Sequence, residues 1–221
     1  MLFRSVRAHA REAFVQYMIG SYNGMDTPRQ VVKRRRDPRL ANLLGALSIG
    51  ISDGIYESTA VAAGLDGVAS AALVALLDFV PSGSVRTLSQ VVGLTHSGAV
   101  RVVDRLVAEE LATRGSSVDA RSRSITLTTR GVRLAHQVRA ARERVVSRVL
   151  EHLTASERAT LAPLCERLVA GITEERLEQR NAGVTPAGGA LCRMCDFGAC
   201  GRSIGICPAA ETVAKFRVRQ P

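Results

Sequence analysis

The chain has 221 residues, a formal net charge of +10 at neutral pH and a composition that is 46% apolar but only 4% aromatic, without tryptophan. This length accommodates one domain with appendages, and a core drawn mainly from Ala, Val and Leu favours helices over sheets. No apolar run approaches the roughly 20 residues needed to span a bilayer. We therefore expect a soluble, mainly helical protein with no membrane partner.

Positive charge is concentrated at the two ends of the chain and in one internal stretch. Residues 1–40 carry nine basic and three acidic side chains, and residues 181–221 carry five and two. Residues 41–180 are nearly neutral, yet within them residues 86–133 contain eight arginines against four carboxylates. Charged segments of this kind serve equally as solvated surface or as phosphate-binding surface, and the motif beside them decides between the two.

The first 38 residues are expected to form a disordered basic arm, with the run Lys33-Arg34-Arg35-Arg36 near its end. Residues 1–20 contain arginines and lack the apolar core of a secretory signal. The charge spacing of residues 1–20 weakly resembles a transit peptide. A simpler interpretation is that translation begins at Met25 and that residues 1–24 are an over-extended start. Without export we expect a cytoplasmic protein, where clustered thiols bind metal more often than they form disulfides.

Two helices are predicted ahead of a break in the chain. The first extends from Leu40 to about Ala63, and the second covers about Gly67–Phe79 before Pro81-Ser82-Gly83 interrupts it. The first helix carries an apolar stripe at helical spacing: Leu40, Leu43, Leu44, Leu47, Ile51 and Ile55.

The next segment matches a helix-turn-helix. One short helix covers Thr87–Val92, Gly93 provides the break, and Thr95 is placed to cap a second helix that extends to about Glu110. One side of the second helix is apolar, at Val100, Val103, Leu106 and Val107. The opposite side is polar, at Ser97, Arg101, Asp104 and Arg105. A polar outward face on the second helix is typical of DNA-binding proteins.

A β-hairpin and two long helices follow. Residues 111–114 and 123–128 have strand character and enclose a basic tip. A helix then extends from about Thr129 to Leu150, and Thr154 with Glu157 forms a capping box for a last helix that reaches about Arg180. Cys165 lies in that helix on an apolar side and is expected to be a small buried hydrophobe.

The C-terminal region contains four clustered cysteines after a Gly/Pro linker at residues 181–190. The cysteines are Cys192, Cys195, Cys200 and Cys207, in a C-x2-C-x4-C-x6-C spacing. Residues 191–221 contain few core formers, so a covalent or metal staple is needed to order them. Four thiolates suit structural zinc or an iron–sulfur cluster, and Cys207-Pro208 is similar to the Cys-Pro that ends many cluster motifs. Reduced thiols or a redox disulfide are the metal-free alternative.

The order of these segments closely resembles the MarR family of bacterial transcription regulators. The matching residues lie at 88–95, 98–106, 110–114 and 119–128, followed by Gly131. The stretch from Asp119 to Gly131 resembles the family's wing signature, an Asp-x-Arg followed by an alternating strand and Thr-x-x-Gly. The likeness covers about residues 39–180 and does not extend to the cysteine tail.

The resemblance implies a mainly α fold with a small β-hairpin wing, that is, a winged helix-turn-helix with long dimerisation helices. It further implies a homodimer in which the first helix and the last two helices interlock across a two-fold axis. Two-fold symmetry in turn implies a palindromic double-stranded DNA operator. Members of the family often bind an apolar small-molecule effector between the dimer helices and the reading lobe, but no residue here identifies one.

The same resemblance places the DNA contacts on the second helix and the wing. The expected contact residues are Thr95, His96, Ser97, Gly98, Arg101, Arg105, Arg121 and Arg123. Arg101 is positioned to bind a guanine edge in the major groove, with a solvated ion pair to Asp104 as the alternative. Arg121 and Arg123 are expected at the minor groove or its phosphates, and Asp119 is expected to have a structural role, either orienting Arg121 or pairing with another arginine.

The leading hypothesis is a dimeric transcriptional regulator, a repressor, whose four-cysteine metal site is structural or redox-sensing. An enzyme is not expected, because His9, His96, His136 and His152 are scattered over different elements and no phosphate-binding loop is present. The rival from another class is an iron–sulfur redox protein that uses the winged helix only as a scaffold.

Overall fold

The computed structural model describes residues 37–116, 123–184 and 188–218, apart from the side chains of Ser116 and Arg123. The predicted basic arm, Asp119 and Arg121 therefore lie outside the described residues, except for Asp37 and Pro38. The chain divides into two compact units, Met1–Asn42 and Leu43–Pro221. Apart from the first turn of the first helix, all packing described below belongs to the second unit.

Helix α1 covers Pro38–Ala63, which confirms the first predicted helix. Its first turn is capped by Asp37, whose carboxylate accepts a hydrogen bond from the Leu40 N–H at 2.9 Å. Thr59 is its one buried residue. The first part of the apolar stripe lies in solvent, with Leu43, Leu44 and Leu47 about half exposed, whereas Ile51 and Ile55 are half-buried.

Helix α2 covers Gly67–Val74 and continues as a π-helical turn over Ala75–Phe79. Asp66 caps its start by accepting hydrogen bonds from the amides of Val68 and Ala69, both at 2.9 Å. Every residue from Ala69 to Leu76 is buried. This short apolar run is therefore the central helix of the core rather than a surface helix.

Helices α3 and α4 form the predicted helix-turn-helix. Helix α3 covers Val85–Val92, two residues earlier than expected because Ser84 accepts a hydrogen bond from the Thr87 N–H and so caps it. Gly93 ends α3 in the left-handed conformation with φ 73°, which favours glycine. Helix α4 covers His96–Ala108, and Thr95 caps it as predicted.

The wing is an antiparallel pair, β1 (Ala112–Ser116) and β2 (Arg123–Leu127), paired from Ala112 with Leu127 to Ser116 with Arg123. The Ile125 N–H also donates to the Gly83 carbonyl at 2.9 Å, so the hairpin is fixed to the loop before α3. The hairpin also packs on the core, because the side chain of Ile125 is fully buried in it. These contacts confirm a helix-turn-helix with a wing.

Two long helices complete the described fold. Helix α5 covers Thr129–Leu150 and helix α6 covers Ala155–Asn181. The capping box at Thr154 and Glu157 is present, with both reciprocal hydrogen bonds formed. Thr173 is the one buried residue of α6. Cys165 is exposed in this chain, so its interpretation as a buried hydrophobe is wrong.

The cysteine region contains more structure than the sequence indicated. Two 3-10 turns, Leu191–Met194 and Arg202–Ile204, are followed by helix α7, Pro208–Val218, which packs against α6. Pro208 occupies the first position of α7, where its missing N–H costs nothing. The Cys207-Pro208 pair thus has a structural explanation that does not involve a metal cluster.

The core lies where α2, the helix-turn-helix, the wing and α5 meet. Its largest fully buried side chains include Leu73, Leu88, Val103, Leu106, Leu111, Ile125 and Val138. Burial contributes about 1.5–3 kcal/mol for each such side chain. Among the described residues, no single helix is long and apolar enough to cross a membrane, and α1 and α2 pass that test only as a bent pair.

Candidate DNA-reading surface and four-cysteine module

The N-terminus of α4 is open to solvent. Thr95 accepts a hydrogen bond from the Gly98 N–H at 3.1 Å and lies 3.3 Å, oxygen to oxygen, from the hydroxyl of Ser97. Thr95, His96 and Ser97 are exposed and Gly98 is half-buried. The helix end thus presents two hydroxyls and an imidazole beside the positive pole of its dipole, an arrangement that suits phosphate or base-edge contacts.

Arg101 is exposed on the next turn of the same face. The alternative, an ion pair with Asp104, does not form, because the Asp104 carboxylate binds Arg114 of β1 instead. Among the described residues, no carboxylate forms an ion pair with Arg101. Its guanidinium therefore remains available to a ligand, while Ala99 and Val103 on the opposite side are fully buried.

Arg105, another expected DNA contact, has partners within the chain. Its guanidinium lies 2.8 Å from Asp66 and 2.9 Å from Glu109. The hydrogen bond to Glu109 raises the pKa of Arg105, with further contributions from the charges of both carboxylates. This side chain joins α4 to the cap of α2, and the sequence did not show that link because Asp66 is 39 residues away.

The basic edge of the wing is described only in part. Arg123 is in β2, opposite Ser116, and Arg121 lies outside the described residues. Arg114 is bound to Asp104, and Arg130 lies 3.9 Å from Glu110 while donating to the Glu109 carbonyl. The expected minor-groove role of Arg121 and Arg123 stays a prediction.

The four clustered cysteines lie on consecutive turns of one small module, residues 190–207. Cys192 is in the first 3-10 turn, Cys195 follows it, Cys200 precedes the second turn, and Cys207 precedes α7. All are reduced. Cys207 is buried and the other three are half-buried.

Each thiol lies within the electrostatic influence of another. A hydrogen-bonding interaction with Cys192 lowers the pKa of Cys195 to about 6 against the opposing effect of burial. The same interaction, with burial and the charges of Cys195 and Cys207, raises the pKa of Cys192. Burial and the charges of Cys207 and Cys195 raise the pKa of Cys200.

Three guanidiniums lie near enough to Cys195 to act on it electrostatically. Arg142 of α5, Arg193 and Arg202 all lower the pKa of Cys195. Among the described residues, none of the three arginines forms an ion pair with a carboxylate. An environment with this excess of positive charge favours an anionic group at the cysteines, and a divalent zinc ion held by four thiolates has a net charge of −2.

The module is attached to the core by one stacked arginine and one ion-pair chain. Arg202 lies over the rings of Phe79 and Phe197, 5.1 and 4.6 Å from their centroids, and the two rings meet edge to face at 5.6 Å. Arg139 of α5 lies 2.8 Å from Asp78 and 3.3 Å from Asp196. Sequence analysis missed these residues, because Phe197 and Asp196 resemble loop positions and their partners are distant in the chain.

The described side chains do not form a preassembled metal-binding group of three or more His, Cys, Asp or Glu residues. The structure thus brings the four cysteines into one module without closing their sulfurs around a single point. The predicted ligand set stays a prediction at this stage.

Solved structures share the fold of the described core. YusO from Bacillus subtilis is 25% identical, with a TM-score of 0.51 over 59% of this chain and 92% of that one. A MarR family protein from Bacillus stearothermophilus is 24% identical, with a TM-score of 0.55 over 62% and 94%. The chain has the winged-helix fold of the MarR family. Wild-type MarR from E. coli, at 20% identity, aligns over 58% of this chain and 95% of that one with a TM-score of 0.51.

The covered shares locate the likeness. Each of these MarR-type structures is matched over nine-tenths or more of its own length, whereas about two-fifths of the present chain has no counterpart in them. No family model and no curated protein sequence matches the chain. The fold prediction is confirmed, and the cysteine tail is not explained by it.

Proposed function

We propose that the protein is a DNA-binding transcriptional regulator, a repressor, which reads a palindromic operator as a homodimer. The observation that carries this proposal is the free guanidinium of Arg101 on the exposed face of the second helix of a helix-turn-helix. The MarR-type fold supports it, since the solved structures with this fold include MarR itself. Major-groove binding by the second helix would place Arg101 at a base edge.

The dimer is supported by apolar surface that a lone chain leaves in water. Leu43, Leu44 and Leu47 of α1 are 47–54% exposed, and Leu164, Leu168 and Ile172 of α6 are 45–50% exposed. Both helices are long and have almost no buried residues of their own. Contiguous apolar surface of this kind marks a protein interface, and a second copy supplies matching surface by two-fold symmetry.

The test of DNA reading begins with selection of bound sequences from random duplex DNA. The selected operator is then titrated with the wild type, with Arg101→Ala and with Arg144→Ala, which removes another exposed arginine from α5. Loss of a bidentate base contact costs about 1–3 kcal/mol, so Arg101→Ala should weaken operator binding about 5- to 150-fold. Its effect on random DNA should be much smaller, and Arg144→Ala should change neither.

Equal losses on operator and random DNA would make Arg101 a phosphate contact. Failure to recover any preferred sequence with the wild type would reject the regulator and favour the redox protein on a winged-helix scaffold. Sedimentation of the same samples tests the dimer, and a monomer that binds its operator with full affinity would contradict the interlocked arrangement.

We also propose that Cys192, Cys195, Cys200 and Cys207 hold a metal centre, either zinc or an iron–sulfur cluster. The all-thiol spacing and the placement of all four cysteines on consecutive turns of one module support this proposal. Metal binding would require the four sulfurs to converge as their protons leave.

Metal analysis and a visible spectrum on protein purified without oxygen test the centre. One zinc per chain without colour indicates a closed structural site, and iron with sulfide and a brown chromophore indicates a cluster. Protein that contains neither, and does not take them up when its thiols are reduced, contradicts the proposal.

A further inference from the structure

A glycine pair joins the cysteine module to the turn of the helix-turn-helix. The segment Gly188–Ala190, here called the strap, lies directly on the end of α3, and the Ala190 N–H donates to the Val91 carbonyl at 2.8 Å. Gly189 is buried against Gly93, the residue that ends α3. A Cβ on Gly189 would lie 2.7 Å from the Val92 carbonyl carbon and closer still to the Gly93 nitrogen. The two backbones therefore touch with no room for a side chain.

The other side of the strap is held by two arginines. Arg176 of α6 donates to the Gly189 carbonyl. Arg193, in the first cysteine turn, donates to the Ala190 carbonyl at 3.0 Å. Two of the three strap carbonyls, those of Gly189 and Ala190, are thus bound by guanidiniums, and Leu191 alone separates the strap from Cys192.

Arg193 joins the strap to the first cysteine turn. It lies one residue after Cys192 and two residues before Cys195, and it donates to the Ala190 carbonyl. A displacement of the first cysteine turn therefore displaces a hydrogen-bond donor of the strap.

We propose that the strap couples the four-cysteine centre to DNA reading: with metal bound, the module holds Gly188–Ala190 against the turn at Gly93, and loss of metal releases it. This inference rests on the proposed function for its effect on operator binding. Gly93 is two residues before Thr95, the cap of α4, so the position of the turn fixes the start of the reading helix. Such a switch requires that the contact between the strap and the turn exist in a closed and an open state, and that the metal bind the closed state more tightly.

Two neighbouring glycines provide a matched pair of variants. Gly189 and Gly188 have φ angles of 72° and 75°, so alanine at either position carries the same left-handed strain. Alanine at Gly189 collides with the turn, whereas alanine at Gly188 meets nothing within 4 Å. Gly189→Ala therefore tests the strap contact, and Gly188→Ala controls for strain.

The experiment compares wild type, Gly189→Ala and Gly188→Ala, each as the full chain with and without its metal. Metal removal should weaken operator binding of the wild type and of Gly188→Ala by about 5- to 150-fold, the usual range for coupled sites. Gly189→Ala should bind the operator weakly even with metal, and removal of metal should then add little, because both changes release the same contact.

Hydrogen exchange of residues 87–97 provides a readout that does not need DNA. Exchange should accelerate in wild type without metal and in Gly189→Ala with metal, and stay at the wild-type rate in metal-loaded Gly188→Ala. Unchanged exchange after metal removal would overturn the strap coupling, and so would accelerated exchange with unchanged operator affinity. If exchange accelerates as expected but the metal-loaded wild type binds no DNA, the proposed function fails and the coupling of module and turn stands.

Discussion

The helix-turn-helix and the cysteine module use opposite means of holding a short chain in place. In the first, side chains such as Leu88, Val103 and Leu106 are fully buried and the helix ends are capped by Ser84 and Thr95. In the second, the buried apolar side chains are few, and much of the contact with the core is polar: a stacked arginine, an ion pair and the backbone contact at the strap. Apolar burial and local caps specify the first region, whereas the second has little apolar burial of its own, and a metal held by the four cysteines would add the missing stabilisation.

The largest effect is expected in the reading lobe. Leu106→Ala removes a fully buried side chain between α4 and the core, and such truncations cost about 2–5 kcal/mol. Urea unfolding followed by circular dichroism should show this loss whether or not metal is present. Ile204→Ala, at a position 73% exposed in the cysteine module, is the control and should leave the midpoint unchanged.

A metal-dependent effect of intermediate size should be confined to the module. A metal at a hundred times its dissociation constant stabilises the folded module by about 2.7 kcal/mol. Trypsin cleaves the locally unfolded form, so removal of the metal should raise the rate of cleavage after Arg202 about 100-fold. Cys200→Ser should cleave as fast as stripped wild type. Cys165→Ser removes the exposed cysteine of α6 and should cleave like metal-loaded wild type; fast cleavage of this variant would mean that the four-cysteine set is not the stabilising unit.

A smaller effect should follow from loss of the aromatic contact between the two regions. Phe197→Leu keeps an apolar side chain but removes the ring that Arg202 covers at 4.6 Å. Cation–π and edge-to-face contacts contribute about 0.5–2 kcal/mol, so cleavage after Arg202 should accelerate about 2- to 30-fold in metal-loaded protein. Phe216→Leu, in α7, is the control, since no ring contact involves it within the described residues; an equal acceleration there would point to general loosening of the tail.

The smallest effect is expected at the reading helix itself. Thr95→Ala removes the hydroxyl that accepts the Gly98 N–H, and loss of such a cap costs about 1 kcal/mol. Thr95→Ser keeps the acceptor and should retain the wild-type free energy of unfolding. A stability loss of equal size in both variants would show that the methyl group, rather than the cap, is what matters.

Local sequence signals predicted the helix-turn-helix, the wing and the long helices well. Helical spacing, the break at Gly93, the caps at Thr95 and Thr154 and the alternation in β2 all correspond to interactions between residues close in sequence, and the structure contains each of them. The ion pair of Arg105 with Asp66 was not predicted, because it joins α4 to the cap of another helix and a pattern within one helix does not reveal it. The DNA contact of Arg105 stays a prediction.

The position of the cysteine module could be predicted from the sequence, but its helix and its contacts with the core could not. The cysteine spacing identified the module, yet α7 was missed because Pro208 was compared with metal-cluster motifs rather than with helix starts. Contact between Gly93 and Gly189 joins residues 96 positions apart through their backbones, so no side-chain pattern marks it. Cys165 was expected to be buried because its helix was assumed to have a buried side, and α6 has almost none within a single chain.

The most direct test of this account is an equilibrium titration of the selected operator with the metal-loaded chain and with the same sample after its metal is removed. Operator affinity should fall by about 5- to 150-fold while affinity for random DNA changes little. Equal operator affinity in the two states would show that the reading lobe and the cysteine module act independently, which would contradict the coupling through Gly189.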